Sequence, residues 1–182
     1  GPNNEWVGIA KRSRVMYYNP VNVSAEEMEG LTYEDLSNPK WKGRIAIRSS
    51  GNMYNQSLVS SLIANNGISA TEDWAHRFVG NFARKPEGND RAQIMAVANG
   101  EADIAISNSY YIGLMLSGKK GEEQQAAARK VELHFPGQDG RGAHINVSGA
   151  GLMKNAPNVD NAVKFIEFLL SEEAQTHIVN YT

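Results

Sequence analysis

Twice along this chain a short apolar stretch runs into a polar turn and then a helical pattern, and both turns deliver tyrosine. The first unit is Arg44-Ile45-Ala46-Ile47-Arg48, then Ser49-Ser50-Gly51-Asn52-Met53-Tyr54-Asn55-Gln56, with Leu58, Leu62 and Ile63 at helical spacing. The second is Ile104 to Ile106, the turn Ser107-Asn108-Ser109-Tyr110-Tyr111, and apolar Ile112-Gly113-Leu114-Met115-Leu116. A side chain at such a junction projects from the carboxyl end of a strand, where open α/β sheets bind ligands. Strands alternating with helices predict an α/β layered fold with a mixed, largely parallel sheet.

The remaining segments fit that frame. Trp6 to Tyr18 reads as extended and is stopped by Asn19-Pro20. In a strand Arg12 and Arg14 share a face, so the two guanidiniums imply an anion or carboxylate partner; a solvated edge strand is the alternative. Tyr17-Tyr18 is read as structural, because a strand sends its members to opposite faces. Ser50, Gly51 and Asn52 before a helix offer caps and free N–H groups, a seat for a small anion. Thr71 opens a helix with Trp74, Phe78 and Phe82 on one core face. Asn89 or Asp90 can cap the next helix, and Lys119 to Lys130 reads as a solvated surface helix. A strand at Val131–Phe135, a glycine-rich turn from Gly137 to Gly142, another extended stretch from His144, and helices over Val159–Leu170 and from Ser171 complete the chain.

The bulk properties exclude several function classes. With 182 residues and 41% hydrophobic content, the chain has room for one domain or two small lobes. A net charge of -2 offers no field for nucleic acid. No apolar run approaches the roughly 20 residues of a transmembrane helix, so no direct membrane insertion is expected. Cysteine is absent, which suits the periplasm and excludes thiolate chemistry. Gly1-Pro2 resembles the scar of a cleaved tag, so a leader could have been removed. There is no G-x-S-x-G, H-E-x-x-H or P-loop, and His76, His134, His144 and His177 are scattered beside no obvious nucleophile. Enzyme readings therefore fail, and binding readings do better. A phenol is neutral near pH 7, but a hard trivalent cation can displace its proton, and the phenolate oxygen suits Fe3+. Three phenolates would balance three charges, and nearby arginines would hold a synergistic anion. A lone Tyr-Tyr pair can equally do no more than pack at a helix start.

Several stretches resemble the periplasmic ferric-iron-binding proteins of ABC importers. They are Arg12-Ser13-Arg14-Val15, Asn38-Pro39-Lys40-Trp41-Lys42-Gly43-Arg44, Asn52-Met53-Tyr54-Asn55-Gln56, Asn108-Ser109-Tyr110-Tyr111, His144-Ile145-Asn146-Val147-Ser148-Gly149 and Phe165-Ile166-Glu167-Phe168-Leu169-Leu170-Ser171-Glu172-Glu173-Ala174-Gln175. The resemblance implies a type 2 periplasmic-binding-protein fold and a solute-binding protein that hands Fe3+ to the membrane permease of an ABC importer. It implies Tyr54, Tyr110 and Tyr111 as metal ligands. It implies an anion (carbonate, phosphate or citrate) near Arg12 or Arg14, with Ser50, Gly51, Asn52 and Asn108 as further anion-site residues. It also implies a chain truncated at both ends. Residues 1–16 would hold the tag scar and a first crossover strand, 17–140 one complete lobe, and 141–182 the return crossover and remnants of a second lobe. Exposed core surface could then drive a non-native dimer. The rival readings are a type 2 binding protein for thiamine, polyamine or an oxyanion such as phosphate, a hydroxymethylbilane synthase-like transferase, and a docking module.

Overall fold

The structure, a computed structural model, describes residues 6–181. Gly1-Pro2 lies outside the described residues. Two compact units are present, one running from Arg12 to Asn146, the other combining the chain up to Lys11 with the chain from Val147 onward. The larger unit thus starts five residues before the expected 17 and ends six after the expected 140. The boundaries fall inside strands β1 (Trp6–Tyr18) and β5 (Ile145–Gly151), which composition alone does not subdivide.

Within the larger unit, β1 is followed by α1 (Ala25–Met28), 3-10 turns at Glu34–Ser37 and Pro39–Trp41, and the short strand β2 (Ile45–Ala46). Then come α2 (Met53–Asn66), α3 (Ile68–Val79), α4 (Asp90–Ala98), β3 (Ile104–Asn108), α5 (Tyr110–Leu116), α6 (Glu122–Ala128) and β4 (Glu132–His134). The strand order is β2-β3-β1-β4, with β5 pairing β1. The sheet is mixed. Strands β2 and β3, the two that launch tyrosine turns, run parallel, whereas β1 lies antiparallel to both β3 and β4. Strand–helix alternation predicts the parallel part. Strand β1 reaches β3 only through a long connection that includes β2 and α2 to α4, not through a single βαβ unit, so it is free to run the other way.

Alternation along β1 builds two cores. Met16 and Tyr18 join the cluster beneath α2 and α3, while Val15 and Tyr17 join the one formed with α4, α5 and α6. The Tyr17-Tyr18 pair is therefore structural, one ring in each core. Trp74 and Phe78 stack at 4.6 Å, and Phe82 meets Phe78 edge-on at 5.0 Å. Helix α3 begins at Ile68, three residues before the expected Thr71, because Gly67 at φ 82° both ends α2 and opens α3. The α4 cap is Asn89, whose side chain accepts from Ala92 N at 3.1 Å.

In the smaller unit, Gly149 allows a close approach: a Cβ there would meet Val7 O at 2.7 Å. Helices α7 (Val159–Leu169) and α8 (Glu172–Tyr181) follow, and α8 is tied down by Gln175, which donates to Ile9 O at 3.2 Å. None of the residues of α7 is buried, and Val159, Val163, Phe165 and Phe168 are exposed. Among the described residues, no helix is long and apolar enough to cross a membrane.

Candidate metal centre

Tyr54 stands in the first turn of α2 because two asparagines hold that turn. Asn52 caps the helix, its side-chain oxygen accepting from Tyr54 N at 3.0 Å. Buried Asn55 donates to Arg48 O at 2.8 Å and Ser49 O at 3.2 Å, which fixes the turn from beneath. Tyr110 and Tyr111 open α5 directly after β3. Their turn is held by Ser109 N donating to Ser13 O at 2.9 Å, and by the Tyr17 hydroxyl donating to Asn108 O and Ser109 O at 3.0 and 3.1 Å.

The two adjacent rings lie 4.1 Å apart, tilted by 33°. Tyr111 leans on the core beneath α5, while Tyr110 is 43% exposed. Burial first, then hydrogen bonding and charge from Tyr111, then charge and hydrogen bonding from Tyr54, push the Tyr110 phenol well above its ordinary range. The tyrosines of the two turns are thus close enough for Tyr54 and Tyr111 both to act on the Tyr110 phenol. On the other side of Tyr54, the Arg12 and Arg14 guanidinium carbons each lie 5.9 Å from its ring centroid, so the two arginines do share a strand face.

Of the two partners expected for these arginines, an anion or a carboxylate, Arg14 has the carboxylate. It is fully buried, and Nη1 donates to Asp90 Oδ2 at 2.6 Å and Asn108 Oδ1 at 3.2 Å, while Nη2 donates to Asn55 Oδ1 at 2.6 Å. Strand alternation gives the face but not the depth, and at this depth the guanidinium's counterion is a protein carboxylate. Asn108 is also fully buried, its oxygen taken by Arg14 and its Nδ2 without a hydrogen bond. At the α2 turn, Ser50 and Gly51 are exposed, Gly51 N donates to Ser49 Oγ at 3.2 Å, and the Asn52 oxygen is occupied by its capping role.

Other residues at the centre were not placed there by the sequence. Asp90 sits at the start of α4, where an acidic residue reads as a cap, yet its carboxylate is fully buried and takes Arg14, Arg48 and Asn108 N. Buried Tyr33 donates to Arg14 O at 2.6 Å and accepts from His144 N at 3.0 Å. His144 does sit beside a hydroxyl, since its Nε2 is 2.8 Å from Ser57 Oγ, contrary to the sequence expectation. Burial, and then the Arg14 charge, hold its pKa below the usual imidazole value. Among the described residues, no group of three His, Asp or Glu side chains could hold a metal. The donors gathered here are phenols, flanked by more guanidinium than carboxylate charge, a set that suits a hard cation bearing an anion.

The family model described as "Bacterial extracellular solute-binding protein" matches residues 1–182. Iron uptake protein A1 of Synechocystis is 54% identical over 177 residues, covering 97% of this chain and 48% of its own length. The major ferric iron-binding protein of Neisseria meningitidis is 30% identical over 171 residues, covering 94% of this chain and 49% of its own length. Among solved structures, the Trichodesmium IdiA (FutA) protein in complex with iron and citrate superposes with a TM-score of 0.91 at 54% identity, over 97% of this chain and 55% of that one. The fold is that of a type 2 periplasmic binding protein. The chain spans about half the length of the curated relatives it matches.

Proposed function

The chain belongs to the bacterial extracellular solute-binding protein family, and on that premise we propose that it captures Fe3+ in the periplasm through the phenolate oxygens of Tyr54, Tyr110 and Tyr111. A synergistic anion completes the shell on the guanidinium side, near Arg12 and the Ser50-Gly51-Asn52 turn, and the loaded protein delivers its cargo to an ABC importer permease. The observation that carries the reading is the gathering of phenols from two turns, the Tyr110 and Tyr111 rings 4.1 Å apart and Tyr54 near enough to act on the Tyr110 phenol. Relatives named for iron uptake and ferric iron binding support it, as does a neighbour solved with iron and citrate.

The chemistry follows from proton displacement. At neutral pH the Tyr110 phenol is protonated, and its raised pKa makes it a poor anion without a metal. A trivalent cation reverses that balance, because each phenolate formed neutralises one of its charges. Three phenolates cancel the cation, and the anion then faces Arg12 and the arginine excess behind Tyr54.

The test is a visible titration with ferric citrate. The expected result is a tyrosinate-to-iron charge-transfer band in the wild-type protein that is lost or strongly weakened in Tyr110→Phe. A colourless wild-type protein that carries no iron after purification without chelator would favour an organic or oxyanion ligand instead.

A further inference from the structure

Behind the phenols, one carboxylate faces two guanidiniums. Asp90 Oδ2 accepts from Arg14 Nη1 at 2.6 Å and from Asn108 N at 3.0 Å, and Asp90 Oδ1 accepts from Arg48 Nη1 at 3.2 Å. Asn89 already caps α4, so Asp90 is not needed for that purpose. Its two oxygens instead join the turn before Tyr54, through Arg48, to the turn before Tyr110, through Asn108. Two positive charges against one negative leave a net charge of +1 in this cluster. Donors also outnumber acceptors, for Arg14 Nε, Arg48 Nε and Asn108 Nδ2 are buried and make no hydrogen bond.

The two arginines are not equivalent. Arg14 is fully buried and forms with Asp90 a neutral internal pair. Arg48 has a side chain 20% exposed and sits at the edge of the cluster, six residues before Tyr54. Arg48 therefore carries the surplus charge.

We propose that Arg48 is a positioning residue of the tyrosine centre, held by Asp90, and that its charge retains the anion accompanying the metal. The inference rests on the iron reading above. An Fe3+ bound by three phenolates is already neutral, so the added anion makes the loaded centre negative, and a fixed positive charge favours that state over the metal-free one.

The experiment compares wild type, Arg48→Gln and Arg48→Lys by the ferric citrate concentration giving half-maximal tyrosinate–iron absorbance, at one pH and ionic strength. Arg48→Gln is expected to need about tenfold more ferric citrate, the order expected for losing one partly exposed fixed charge near the loaded centre. Arg48→Lys should restore most of that loss, and the melting temperature should change little in either variant, because the Arg14–Asp90 pair stays intact. An unchanged half-loading point in Arg48→Gln overturns the proposal while leaving the iron reading standing. A loss in Arg48→Gln that lysine fails to restore, with a lowered melting temperature, also overturns it, since that is the mark of lost packing. A colourless wild type removes the iron reading and this inference together.

Discussion

Asp90 shows how much of this centre depends on single buried groups. Removing its charge would leave the buried Arg14 guanidinium without a counterion, and breaking a buried pair in this way costs about 3–5 kcal/mol. Asp90→Asn is accordingly expected to unfold in urea with a stability loss of that order, far beyond that of a surface carboxylate substitution. Tyr33 makes a second prediction, one that is read in the pH dependence of stability. Burial pushes its phenol up to about 12, so the folded protein favours the neutral form that the unfolded chain loses near pH 10. This contribution to stability is complete below about pH 10 and is lost as pH rises through about 12. Alkaline unfolding should therefore coincide with the ultraviolet phenolate signal, rather than follow exposed-tyrosine titration at lower pH. Tyr33→Phe should flatten the dependence. Such residues explain what the sequence made legible at this scale. Tyr54, Tyr110 and Tyr111 could be picked out because strand–turn–helix junctions mark positions that project from a sheet. Asp90 and Arg48 could not, since their partners lie far away in the chain, and an acidic residue at a helix start has a simpler local reading.

At the level of elements, the site stands on the first turns of α2 and α5, and the two are built differently. Helix α2 carries its own cap, and Asn52→Ala is expected to cost about 1 kcal/mol while loosening Tyr54, whose N–H that side chain holds. Helix α5 has no side-chain cap at Ser109 and relies on Tyr17 beneath it. Tyr17→Phe should thus weaken metal colour more than a core phenylalanine substitution of similar size, checked by the same ferric citrate titration in a variant whose circular dichroism is native. Periodicity placed Trp74 and Phe78 correctly on the buried face of α3, but Phe82 lies past the helix end at Val79 and bridges to Ile45 instead. The α3 start was less legible, because Gly67 joins two helices with no intervening loop. Strand β2 is two residues long, although Arg44 to Arg48 reads as a full strand. The flanking arginines are drawn off to Asp103 and Asp90, partners the local pattern does not contain.

Across the whole molecule, the sheet and the α/β alternation of the larger unit could be read from the chain, whereas the unit boundaries inside β1 and β5 could not. The smaller unit presents Val147, Val159, Val163, Phe165 and Phe168 to solvent. An apolar surface of that composition favours association, so the 182-residue chain is expected to show concentration-dependent self-association in sedimentation velocity. Phe165→Ser with Phe168→Ser should reduce it and leave the tyrosine centre unaffected. The arginine in β1 has a further consequence. Arg14 meets Asn55, Asp90 and Asn108 across 41, 76 and 94 positions of the chain, so its bonds await closure of long loops, a slow entropic part of assembly. A nascent polypeptide would then offer no finished cradle until α2, α4 and β3 have docked on β1. Ferric citrate present during refolding should leave the folding rate unchanged, and colour should appear only after folding is complete.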